Sequence, residues 1–267
     1  MSSSFPTVVI PSRLHRVSRT PDPAALPAWE YAGDDRTFAN RWDDPHGRYR
    51  VLYTSDTRIG ALAETLQDFR RSLTLLSRLQ DVERDDPELA RTDSLSGRGS
   101  GIVPSRFFDE RFAGELTFAA NADSPTGRVV DVAQVDAIET LRTKLASFAV
   151  ALGIEEISLA TIVGTLPTAV APNPRALTQR ISREIYESPD LFAGIAAPSS
   201  LGLPYTNYTL FENPDARGPD HLRLTVRERS SRRLDRNDAD VRHALEHLGL
   251  SVEETPVRKP GSQVPSE

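Results

Sequence analysis

The stretch Asn40-Arg41-Trp42-Asp43-Asp44-Pro45, followed by Tyr49-Arg50-Val51-Leu52-Tyr53-Thr54 and then Gly60-Ala61-Leu62-Ala63-Glu64, is the most informative part of the chain. It reads as a fixed arginine, a short buried strand ending in a tyrosine, and a helix with a glutamate in its second turn. Ile59, Leu62, Ala63, Leu66, Phe69, Leu73 and Leu76 recur at helical spacing, and Thr57 stands where an N-cap hydroxyl belongs.

On the N-terminal side, Val8-Val9-Ile10 and Leu14-His15-Arg16-Val17 read as an edge or entry strand. Beyond the helix, residues 81–104 are rich in Asp, Ser, Gly and Arg without periodicity and read as a loop insertion. Strands are expected at Arg111–Ala119, Gly127–Val132, Ile195–Ala197, Tyr208–Phe211 and His221–Arg227, with Glu156–Val163 a buried strand or connector. Helices are expected at Ala133–Leu152, Arg175–Glu187 and Asp238–Leu248. Strands and helices mix without a regular alternation or an internal repeat. That order predicts an α+β fold, a split or curved, mostly antiparallel sheet flanked by helices. Residues 1–11 form an N-terminal extension, 12–250 one domain, and 251–267, with Pro256, Pro260 and Pro265, a disordered tail.

Composition narrows the function classes. The chain has 267 residues, no cysteine and a net charge of −6. Disulfides, a thiolate zinc site and a cysteine nucleophile are therefore excluded, and general nucleic-acid affinity is disfavoured. Met1–Pro6 lacks the basic and apolar regions of a signal peptide, and no apolar run is long enough to span a bilayer. These features predict a cytoplasmic protein without membrane or nucleic-acid partners. Lys144 and Lys259 are the only lysines. Arginine enrichment suits phosphate recognition through a planar fork, although base composition explains it equally well.

Several motifs fail on inspection. Gly97-Arg98-Gly99-Ser100-Gly101 neither follows a strand nor opens a helix, and it lacks the lysine of a phosphate loop. His243 and His247 are four apart, but Ala244-Leu245-Glu246 between them is not the zincin order and no third ligand is evident, so no metal is expected. Arg227-Glu228-Arg229-Ser230-Ser231-Arg232-Arg233 interleaves acids and reads as a solvated strand end and turn.

What survives is the set Arg41, Tyr53 and Glu64, which suits a pyrophosphate-containing nucleotide with a ribose whose glycosidic bond is to be broken. Each residue alone has a structural explanation, as an ion-pair partner, a packed strand residue or a half-exposed helix carboxylate. Together with Leu14-His15-Arg16-Val17, Arg41-Trp42, Tyr53-Thr54, Ala61-Leu62-Ala63-Glu64, Leu177-Thr178-Gln179, Gly194-Ile195-Ala196-Ala197-Pro198-Ser199 and Thr209-Leu210-Phe211-Glu212, the pattern over residues 12–215 resembles the RES domain family. Ala197 departs from the tyrosine often found at that place, and Ser200 adjoins Ser199. Residues 78–127 and those past about 215 exceed the compact form and leave room for a lid, an insertion or a dimer surface in a homo-oligomer.

The resemblance implies an ADP-ribosyltransferase-like fold and an enzyme that consumes NAD as substrate by cleaving the nicotinamide–ribose bond. Inorganic phosphate or water would be the attacking group, no cofactor would be required, and the protein would be a growth-inhibiting toxin with an Xre-like antitoxin partner. The alternatives are an ADP-ribosyltransferase acting on a protein target and a non-catalytic binding module. Under the resemblance Glu64, Arg41 and Ser199 are the expected catalytic residues. Glu64 would stabilise the ribose cation and Ser199 would position the ribose or a phosphate. Arg16 would join Arg41 on the pyrophosphate, with Tyr53 and Trp42 at the nicotinamide end.

Overall fold

The computed structural model describes residues 5–71, 97–118, 127–164, 172–202, 204–213, 215 and 221–253. Eight strands form one sheet: Thr7–Val9 (β1), Arg13–Ser18 (β2), Val51–Ser55 (β3), Phe112–Phe118 (β5), Arg128–Asp131 (β6), Gly194–Pro198 (β7), Thr206–Phe211 (β8) and Val226–Arg233 (β9). Their order is β1-β6-β7-β8-β3-β2-β5-β9. Every pairing is antiparallel except β6 with β7. Ile102–Val103 (β4) and Ser251–Val252 (β10) make a separate two-stranded parallel ladder. The helices are Arg58–Leu66 (α1), Ser105–Asp109 (α2), Val135–Ala151 (α3), Leu159–Val163 (α4), Pro174–Tyr186 (α5) and Ala239–His247 (α6). The expected α+β class, with a mostly antiparallel sheet flanked by helices, is the one observed.

Alternation along the central strands sorts side chains into two cores. Val51, Ile195, Ala197 and Phe211 face one side, where they pack with Leu141 and Leu145 of α3 and Leu177, Ile181 and Ile185 of α5. Leu14, Leu52, Leu116, Ala196 and Leu210 face the other, where loop residues Ala24, Leu222 and Leu224 cover them. A third cluster lies under α1, where Leu62 and Leu66 meet Phe107 and Phe108 of α2 and Val241, Ala244 and Leu245 of α6.

The sheet is continuous but nearly broken at one point. Strand β2 matches β5 over six registered pairs, from Arg13↔Thr117 to Ser18↔Phe112, yet it meets β3 only at His15↔Ser55. β3 turns directly into α1 at this junction. Thr57 caps the helix by accepting from Gly60 N–H at 3.0 Å. A Cβ on Gly60 would stand 2.3 Å from Ser55 Oγ, so only glycine lets the helix start this close to the strand it leaves. The same end of α1 is tied down by Arg58, which bonds Asp238, the N-cap of α6, and Asp240 in its first turn.

Four expectations are corrected. Of the expected extension 1–11, residues 5–11 belong to the domain, since β1 pairs with β6 and Phe5 is buried in the α3–α5 core, while residues 1–4 lie outside the described residues. Residues 156–163 end in helix α4, because Ser158 and Thr161 form a reciprocal capping box that starts a helical turn. The strand expected at 221–227 is displaced to β9. There the polar Arg227–Arg233 run forms an edge strand, and an edge tolerates exposed charge. The tail expected from 251 begins with β10, held against β4 at the end of the expected 81–104 loop. Of that loop, residues 81–96 lie outside the described residues, as do Leu73 and Leu76 of the expected helix.

Arg50 and Glu212 join the start of β3 to the end of β8. The Glu212 carboxylate accepts from the Arg50 backbone N–H at 2.8 Å and from its guanidinium, while Glu212 N–H donates to Arg50 carbonyl oxygen at 3.0 Å. The side chains are only 16% and 9% exposed, so loss of one partner strands the other in a poorly solvated place. Glu212→Ala is expected to lower unfolding free energy by about 3 kcal/mol. Urea titration of the two proteins checks this, and a change below about 1 kcal/mol would show the pair to be solvent-screened.

Candidate active site

Where the sheet nearly parts, a cleft of about 690 Å³ opens, lined by β2, β3 and α1 and also by the 39–42 turn, β7, β8 and the start of α5. One stripe of α1, Ala61, Glu64 and Thr65, lines it and is continued by Gln67 and Asp68 of the turn after the helix, while the adjacent stripe of Leu62 and Leu66 is buried under α6. Spacing of three and four puts each set on its own face of the helix. Arg16, Arg41, Trp42 and Tyr53 line the same cleft, so five of the six expected residues are brought together around it. The sixth, Ser199, is 6% exposed and touches the site through Glu64, whereas Ser200 faces the cleft.

Glu64 is held by three donors. Its Oε1 accepts from Ser199 Oγ at 2.6 Å and from Asn207 Nδ2 at 2.8 Å. Its Oε2 accepts from Gln67 Nε2 at 2.9 Å. Asn207 and Gln67 were not foreseen. Asn207 sits on β8 with Ala197 on one neighbouring strand and Ser55 on the other, and these small partners leave room for the carboxylate. Thr206-Asn207-Tyr208-Thr209 carries polar groups on both faces, so nothing in the segment singles Asn207 out. Gln67 stands three residues after Glu64 at the end of α1, a spacing that makes such contacts routine.

The arginines differ in how much of their hydrogen bonding is spent. Arg16 donates from one terminal nitrogen to the carbonyls of Pro23 and Ala25, at 3.1 and 2.7 Å. Burial lowers its pKa to about 10, with Asp22 opposing, and it stays charged at neutral pH. Arg41 donates to Val163 carbonyl oxygen at 2.7 Å. Burial lowers its pKa as well, opposed by the negative field of Glu64 and by Tyr53. Arg175, in the first turn of α5, also lines the cleft and was missed by the sequence reading. It is exposed, and its guanidinium makes no hydrogen bond or ion pair among the described residues.

Two aromatic assignments change in character. The Tyr53 hydroxyl accepts from Trp42 N–H at 3.0 Å and donates to Asp43 Oδ1 at 3.1 Å, so its bonding is used internally. Burial, reinforced by the Asp43 charge, holds its pKa well above the usual phenol range. Only the ring is left to meet a ligand. Trp42 is 4% exposed and belongs to the α3–α5 core, with its rim alone at the cleft. Asp43 takes a further bond from Asn40 N–H at 2.6 Å, and burial raises its pKa against these hydrogen bonds.

Residues 13–96 match the RES domain. The RES match spans Arg16, Arg41, Trp42, Tyr53 and Glu64, and ends before Ser199 and Asn207. Among solved structures, the chain is similar to the M. tuberculosis MbcT–MbcA toxin–antitoxin complex, at 13% identity and TM-score 0.38, over 84% of this chain and 86% of that one. No curated protein matches.

The Tyr53 hydroxyl should matter to the fold of the arginine-bearing turn more than to ligand contact. Tyr53→Phe leaves Trp42 N–H and Asp43 Oδ1 without their partner and is expected to cost about 2 kcal/mol of stability. Chemical denaturation measures this. An unchanged midpoint would show that the hydroxyl is free to serve a ligand instead.

Proposed function

We propose that this cleft binds NAD and that the chain cleaves the bond between nicotinamide and ribose. The observation that carries the reading is Glu64: a carboxylate fixed from three sides, in a cleft whose other charged groups include three arginines. The RES match over residues 13–96 supports NAD as the ligand, since the family resemblance implies it.

Cleavage expels neutral nicotinamide and leaves positive charge on the ribose. A fixed anion beside that carbon lowers the barrier because it is already oriented when the charge develops. Glu64 has this role, by the same electrostatic logic as in glycoside hydrolysis. Arg41 and Arg175 take the pyrophosphate through charge-assisted hydrogen bonds. Arg16 contributes positive field while its guanidinium holds the Pro23–Ala25 loop. The Tyr53 ring forms a wall, and Ser199 acts on the ribose through Glu64. The attacking group is inorganic phosphate or water, with ADP-ribose-1″-phosphate or ADP-ribose as the product. Loss of NAD would arrest the producing cell, so the reading includes a neutralising protein partner of the Xre-like kind.

Incubation of the purified chain with NAD, with and without phosphate, followed by mass analysis, tests this directly. Nicotinamide is expected from the wild type, with release lowered at least about 100-fold in Glu64→Ala. Release that requires phosphate identifies a phosphorylase, and release without it a glycohydrolase. No nicotinamide in either condition would sink the reading. Within the active protein, Arg175→Ala is expected to raise KM for NAD about tenfold with a smaller change in kcat, the pattern of a lost ground-state contact. Initial rates across NAD concentrations check it, and an unaltered KM would remove Arg175 from the binding site.

A further inference from the structure

The contacts around Glu64 divide its carboxylate into a held face and a presented one. An ionised carboxylate has about four lone-pair positions. Two on Oε1 are filled by Ser199 and Asn207, and one on Oε2 by Gln67. One position on Oε2 is left. We infer that Asn207 and Gln67 are positioning residues that fix the Glu64 carboxylate so that Oε2 alone meets the ribose. This inference rests on the NAD-cleaving reading for its chemistry, though not for the contacts themselves.

Asn207 carries the stronger part of the argument. Its side-chain oxygen is buried and has no hydrogen-bond partner among the described residues. The opposite amide orientation would set that oxygen against Glu64 Oε1, where two acceptors repel. The orientation seen satisfies Glu64 and leaves the amide oxygen unpaired, so the carboxylate dictates how Asn207 sits. The donors also come from three parts of the fold, the residue after β7, strand β8 and the end of α1. A carboxylate tied at three separate points cannot follow one loop if it moves. Ser199 accordingly belongs with the holding groups rather than with the ligand contacts, and the cleft-facing serine is Ser200.

Paired substitutions at Asn207 test the inference. Asn207→Ala removes one charge-assisted donor and is expected to lower kcat for nicotinamide release about 10- to 100-fold with KM within about threefold of wild type. Asn207→Asp keeps the volume but puts a second carboxylate 2.8 Å from Oε1, and it should fall further than Asn207→Ala. Gln67→Ala should lower kcat in the same direction by a smaller factor. If Asn207 served only packing, the isosteric Asn207→Asp would keep its activity while Asn207→Ala lost it, and that order would overturn the inference. A rise in KM at constant kcat would overturn it too, by making Asn207 a substrate contact.

A readout independent of turnover keeps the two readings apart. The side-chain amide resonances of Asn207 and Gln67 in ¹⁵N-labelled protein should move on Glu64→Ala and stay in place on Ser200→Ala. Unmoved resonances would overturn the clamp whatever the enzyme does. Moved resonances in a chain that releases no nicotinamide would leave the clamp standing and reject NAD cleavage.

Discussion

The pairing of β2 with β3 through His15 and Ser55 alone is the constraint on which the site depends. A full ladder there would close the sheet and leave no room between Arg16 and Tyr53. Instead β2 takes its register from β5, β3 takes its register from β8, and the two halves diverge past the single rung. Helix α1 leaves β3 at that rung and packs its leucine stripe under α6, which turns the Glu64 stripe toward the opening. Opening and carboxylate therefore arise from one junction, and a ligand can reach between sheet halves without displacing a core residue.

A second constraint fixes Arg41. The turn from Asn40 to Arg48 has little regular structure, yet it is pinned at almost every residue around the arginine. Gln179 and Ser182 of α5 donate to the carbonyls of Asn40 and Trp42, Tyr53 takes Trp42 N–H, and the buried Asp43 and Asp44 bond Asn40 N–H and Arg48 N–H. Burying two carboxylates is costly unless they are bonded, and here Asp43 accepts from Asn40 N–H and the Tyr53 hydroxyl and Asp44 from Arg48 N–H, with Asp44 Oδ1 left unpaired among the described residues. The Asp43–Asp44 pair is thus a brace for the arginine next to it. It spends folding free energy on holding a cation in place before any ligand arrives, which lowers the ordering cost of binding.

The sequence showed those features that local periodicity records. Leu62 and Leu66 against Ala61 and Glu64 describe a helix with a core face and a cleft face, and Thr57 marks its start; both hold in the fold. The alternation of Val51, Leu52 and Tyr53 likewise marks a strand covered on both sides. Periodicity is silent about partners in space. Ser199 could be placed near the site only through family resemblance, and nothing local says that its hydroxyl goes to Glu64 rather than to a ligand. Asn207 was passed over because the expected strand began one residue later, at Tyr208, and a strand pattern in any case does not show what stands opposite. The Arg227–Arg233 run was misplaced for a related reason: its charges suggest a turn, while its edge position in the sheet, a property of the whole fold, allows a strand.

The corrections at the two ends of the chain have a common cause. Val8-Val9-Ile10 marks an edge strand in the sequence but not its place in the sheet, and Ser251–Val252 is too short to stand out; each pairs with a partner far away along the chain, Arg128–Val130 and Ile102–Val103. Such pairings cost loop-closure entropy and are recovered only when the intervening fold already brings the ends together. The end strands are consequences of the domain rather than nuclei of it. β1 completes the α3–α5 side by carrying Phe5 into the core, and β10 closes the side beneath α1, where Val252 packs with Leu66's cluster. Trimming at the β10 end therefore acts on the support under the helix that presents Glu64, although none of the described residues there lines the cleft.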